Sequence, residues 1–127
     1  MPNDIRAIDS WCNPFTELGI RTIFTDNPEV AFMMGDQWGR HDQMRWHQTD
    51  EFLAMMDELG IDKVCMPTLK MMQYRTRRML SDIPTEHIGE LVAAHPDRFI
   101  GLAGINPISG MEGVRELERA VRDYGFK

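Results

Sequence analysis

Two hydrophobic rhythms alternate along the chain: short runs that are apolar at consecutive positions, and longer stretches in which apolar residues return every three or four. Residues 98–107, RFIGLAGINP, are the clearest of the first kind. Phe99, Ile100, Leu102, Ala103 and Ile105 would point to both faces, which predicts a strand in the middle of a parallel sheet covered by helices. Gly101 and Gly104 fit such a strand, because a missing side chain lets a neighbouring element approach closely. Asn106 and Pro107 then stand at its carboxyl end, where sheets and barrels of this class place their ligands.

The other elements follow in order. Residues 5–9 read as a first strand, stopped by Pro14. Residues 15–49 show no sustained period; turn signals interrupt them, and a short helix around residues 29–34 is the one element expected there. A connection that long is usually a lid or a wall over a site. Thr49, Asp50 and Glu51 offer a cap and first-turn acids to a helix whose stripe is Phe52, Leu53, Met56 and Leu59, closed by Gly60. Residues 61–66 predict the next strand, and residues 70–80 a polar connection. Asp82 and Pro84 open a helix with Ile88, Leu91, Val92 and His95 on one face, terminated by Pro96. Val114, Leu117, Val121 and Tyr124 mark a last amphipathic helix capped by Gly125.

The order strand, helix, strand, helix, strand, helix predicts an α/β fold of about three parallel strands joined by right-handed crossovers. A full barrel of such units takes about 250 residues, whereas this chain has 127. The motif LGIDKV at residues 59–64 is echoed by YGFK at residues 124–127, where another strand would begin. The expectation is a single, incomplete domain over residues 1–127: the amino-terminal portion of a TIM-type barrel, or a chain that associates to cover its apolar faces.

Composition changes this picture little. The 43% hydrophobic and 27% charged fractions are those of a globular protein, and a net charge of −6 argues against non-specific nucleic-acid binding. With neither a basic leader nor an apolar run long enough for a membrane, a cytoplasmic protein is expected. Cys12 and Cys65 read as buried thiols of a reducing compartment, with a cross-strand disulfide as the alternative. Met55, Met56 and Met66 sit where a core needs flexible filler rather than as metal ligands. Phosphate loops and a Ser-His-Asp grouping are not legible, and Gly101 and Gly104 lie within a strand, where they cannot cradle phosphate.

The AID opening at residues 7–9, HPDRFIGLAGINP at residues 95–107 and ELERAVRDYGFK at residues 116–127 resemble the amidohydrolase superfamily. The similar branch holds amidohydrolase-related proteins and the aminocarboxymuconate-semialdehyde and resorcylate decarboxylases. The resemblance implies an eight-stranded barrel holding a divalent metal, often zinc, that hydrolyses or decarboxylates small, frequently aromatic or carboxylated substrates. In that branch the first strand ends in I-D-x-H-x-H with both histidines on the metal; here those positions are Trp11 and Asn13. An indole offers a cation no lone pair and an amide is a poor zinc ligand, so no recognised metal ligand is present. The loss favours the alternative of a metal-free barrel serving as a small-molecule binding or interaction protein; a truncated product without activity is a third reading.

On this reading Asp9 is the candidate general base or support for a metal, unless it simply caps backbone amides. Trp11 and Asn13 would form an aromatic wall and a hydrogen-bonding hook for a small-molecule substrate, with Thr68 and Asn106 at equivalent strand ends, although both residues also suit turns. Arg75, with Arg77 and Arg78, could clamp a substrate carboxylate or be a solvated run. His41 and His47, six apart among Trp38, Trp46, Arg40 and Arg45, match no helical ligand pair and read as part of an aromatic lid. His87 and His95 read as structural, with His87 on the polar side of its helix.

Overall fold

The computed structural model describes residues 6–127, so Ile5 of the expected first strand lies outside the described residues. Three parallel strands form one sheet in the order β1 (Ala7–Asp9), β2 (Ile61–Pro67), β5 (Phe99–Leu102). Val64 pairs with Phe99 and Met66 with Gly101, while Asp9 lies beside Val64. The middle strand is therefore β2. The run at residues 98–107 shortens to four strand residues, and its far side carries one more pairing: Lys127 N donates to Gly101 O at 2.9 Å and Ala103 N to Lys127 O at 3.0 Å. That is the bond pattern of a parallel ladder, so the backbone of Lys127 lies alongside β5.

Side chains on a strand alternate between faces. Val64, Met66, Phe99 and Gly101 are buried against helices, whereas Lys63, Cys65, Ile100 and Leu102 on the other face stay half-exposed and Ile8 is 58% exposed. The expectation of two buried faces thus holds for one, since the described residues place helices on that side alone. Phe15, Phe52 and Phe99 pack there, Phe15 stacking on Phe52 with centroids 3.9 Å apart.

Helix α3 (Thr49–Leu59) runs as expected to Gly60, whose φ of 70° ends it in the left-handed region, but its N-cap is Gln48 and Thr49 is already helical. Arg98 pins the following strand: its Nε donates to Asp62 O at 2.8 Å, and Nη2 reaches Ile61 O and Asp57 Oδ1. Helix α4 (Thr85–Ala94) buries Ile88. Helix α5 (Met111–Tyr124) differs from its predicted stripe: Gly113 and Ala120 are buried while Val114 and Val121 are exposed. Small residues let it come close; a Cβ on Gly89 of α4 would overlap the Tyr124 ring.

Two stretches hold more structure than the pattern predicts. The connection after β1 is largely helical: α1 (Glu17–Ile20) runs into a π-helical turn at Arg21–Thr25, and α2 (Pro28–Ala31) into another at Phe32–Gln37, before a 3-10 turn at His41–Met44. Such short pieces carry too few turns to show a period. Residues 70–80 are no mere connection: β3 (Lys70–Met72) and β4 (Met79–Asp82) form an antiparallel hairpin with Arg77 at φ 58° in its turn.

His87 corrects its assignment to a polar face. Half-buried, its Nε2 lies 2.7 Å from Thr16 Oγ1, which also accepts from Gly19 N and so caps α1. Burial pushes the imidazole below the usual histidine range, Glu90 opposing. Below about pH 6.5 the unfolded chain takes up this proton first. Stability should therefore fall as pH drops from that point and level off below the folded value. Thermal melts between pH 8 and 5 should show this decline, with a smaller one in His87→Gln.

Candidate functional site

The carboxyl ends of β1, β2 and β5 meet in a shallow groove of about 190 Å³, walled by Trp11, Thr68 and Lys70 and by the backbone after Leu102. Asp9 shapes its first edge: one carboxylate oxygen accepts from Trp11 N at 3.0 Å, an Asx turn that presents the indole 56% exposed. Thr68 is fully buried, and its hydroxyl accepts from Gly104 N at 2.7 Å. It clamps β2 to the segment after β5, leaving the backbone and the indole as the surfaces a ligand would meet. The buried side chain of Lys70 ends between Asp82 Oδ1 at 2.5 Å and Glu116 Oε1 at 3.2 Å, and Thr85 donates to the same Glu116 oxygen.

The remaining candidates lie elsewhere. Asn13, two residues past Trp11, lines a different cleft with Phe15, Phe24 and His47. Asn106 caps the 3-10 turn Pro107–Ser109, accepting from Ile108 N at 3.1 Å, and turns its amide nitrogen toward Met79 Sδ. Arg75 is exposed in the hairpin turn, outside the groove. At the opposite, amino-terminal end of the sheet a cleft among Arg6, Asp57, Asp62 and Arg98 is crossed by ion pairs that fasten the strands.

His47 and Glu51 form a pair whose one signal in the sequence is their spacing of four: His47 precedes α3, and its Nδ1 lies 3.3 Å from Glu51 Oε2 while Arg45 holds Glu51 Oε1 at 3.1 Å. His41 instead pairs with Asp36 and packs on Gly35, and His95 sets its ring edge-on to Phe99.

A divalent metal does not fit the residues present. Among the described residues no three His, Cys, Asp or Glu side chains gather as a metal would need, and the two first-strand positions, Trp11 and Asn13, line separate hollows. Cys12 and Cys65 are free, joined by a backbone bond from Cys12 N to Cys65 O of 2.8 Å, with no disulfide. Burial, with the Asp9 carboxylate adding to it, pushes the Cys12 thiol up to about 11, away from the thiolate a metal requires. Among the described residues no helix is long and apolar enough to cross a membrane.

The strands and helices have the arrangement of a barrel segment, and solved structures share this fold. The chain is similar to a 2,6-dihydroxybenzoate decarboxylase complexed with 2,6-dihydroxybenzoate, at 20% identity and a TM-score of 0.58 over 96% of this chain and 38% of that one. It is also similar to a dihydroxybenzoic acid decarboxylase from Polaromonas sp. JS666 with bound manganese and the inhibitor 2-nitroresorcinol, at 25% identity and a TM-score of 0.57 over 94% of this chain and 35% of that one. Both belong to the amidohydrolase superfamily, so the likeness read from residues 7–9, 95–107 and 116–127 extends to the fold of nearly the whole chain. The chain spans little more than a third of the length of these structures. No family profile and no curated protein matches it.

Proposed function

We propose that the groove of Trp11, Thr68 and Lys70 is part of the active-site mouth of a carboxy-lyase acting on a small carboxylated aromatic substrate, completed by residues outside this chain. What supports this most is the shared fold with a dihydroxybenzoic acid decarboxylase over 94% of the chain at 25% identity, together with an exposed indole at the strand ends. Decarboxylation breaks a bond from ring carbon to carboxylate carbon, releases carbon dioxide and delivers a proton to that ring carbon. The indole of Trp11 supplies a flat wall on which the ring stacks. Asp9, with only one oxygen engaged by Trp11 N, is the residue for handling the proton. Arg75 takes no part.

The purified protein that carries this sequence should consume at least one hydroxybenzoate with release of carbon dioxide. Trp11→Ala should raise KM about tenfold, since an aromatic pair contributes about 0.5–1.5 kcal/mol beyond the area it buries. Binding of the same compounds without turnover would replace this reading with that of a metal-free binding barrel, which the Trp11 and Asn13 substitutions favour. Amide hydrolysis without decarboxylation would defeat both.

A further inference from the structure

We infer that the cleft behind β1, between the helical connection and the start of α3, binds a small uncharged hydroxylated aromatic ring, at a site separate from the groove at the strand ends. The inference does not rest on the proposed activity. The cleft measures about 290 Å³. An apolar cavity of about 150 Å³ accepts benzene, so this one has room for a ring and polar substituents. Its floor is the buried trio Phe15, Ile20 and Phe24, an apolar surface that a flat ring covers well. Its rim is polar, with Asn13, Asp42, Gln43, Arg45 and His47 converging on it. A mostly apolar hollow with a few convergent polar groups is the usual make-up of a small-molecule site.

Charge selects the ligand. Arg45 gives one Nη2 bond to Glu51 at 3.1 Å, while Asp42 brings a carboxylate to the rim. A second carboxylate would meet like charge there, whereas a phenolic hydroxyl can donate to Asp42. The amides of Asn13 and Gln43 can donate or accept. His47 lines the cleft, with its Nδ1 buried and Glu51 Oε2 at 3.3 Å on it.

Resorcinol and benzoate are the probes, titrated into the full chain while the His47 ring protons and the 13C-labelled methyl of Met34, another lining residue, are followed by NMR. Resorcinol should shift both signals saturably at millimolar concentration, with benzoate at least tenfold weaker. Asp42→Asn, an exposed change, should narrow that gap. Met34→Trp, which fills the cleft, should abolish the resorcinol shifts; if that variant does not fold, the Asp42→Asn comparison still decides. Trp11→Ala should leave the shifts intact, which separates this site from the groove. Absence of saturable shifts at His47 and Met34, equal binding of benzoate, or loss of the shifts in Trp11→Ala would overturn the inference.

Discussion

Replacing Phe126 with alanine should lower folding stability by about 3–5 kcal/mol, the usual cost of deleting a buried aromatic side chain. The ring is 1% exposed and fills the space that Gly101 leaves open; a Cβ on Gly101 would overlap it. Gly125, left-handed at φ 68°, turns the chain off α5, and the backbone of Lys127 then locks onto Gly101 and Ala103. Tyr124 lies beside the ring with centroids 5.9 Å apart. Neighbours tied by backbone bonds cannot collapse into the vacated volume, which places the cost toward the top of the range. Domains are stable by only about 5–15 kcal/mol, so the variant should lose a third or more of its margin. Urea unfolding followed by circular dichroism should show a lower midpoint at unchanged slope. A loss under about 1 kcal/mol would mean that the ring does not seal the edge of the sheet.

The same corner shows what was legible and what was not. The glycines at 101 and 104 mark close approach, a local signal that survives without knowledge of the rest, and the pattern at residues 124–127 marks the end of α5, after which Lys127 bonds to β5. The order of strands was not legible, because apolarity marks burial and not position: β2 holds the middle of the three-stranded sheet, and Phe99–Leu102 gains its second neighbour only from the backbone of Lys127. The α5 stripe was misjudged because Gly113 and Ala120, nearly mute in a hydrophobic pattern, set the contact face. Trp11 and Asn13 illustrate the limit at the site. Two residues apart, they were expected to share a mouth, but the Asx turn at Asp9 and the Cys12 bond to β2 redirect the chain between them. His47 reads as part of a lid because it lies before α3, outside any helical period, and its contact with Glu51 comes from the path of the chain into that helix.

Gly104→Ala should also be strongly destabilising, although it adds a single methyl group. At Gly104 the added carbon would overlap the Thr68 carbonyl oxygen, a backbone atom at the end of β2 that no rotamer change can move. Thr68 is itself fully buried, with its hydroxyl bound to Gly104 N at 2.7 Å. Relief therefore requires the segment after β5 to retreat, which stretches that bond and opens the groove beneath Trp11. Overpacking of this kind costs about 1–3 kcal/mol, occasionally more, and the rigid neighbour puts this case at about 3 kcal/mol. Thr68→Val isolates the second component: it keeps the volume but leaves Gly104 N–H without its acceptor, for about 1–3 kcal/mol. Because both changes act on one contact, the double variant should be less destabilised than the sum of the two. Strict additivity in urea unfolding would show that Thr68 and Gly104 do not hold the strand ends together, and the groove would lose its physical basis.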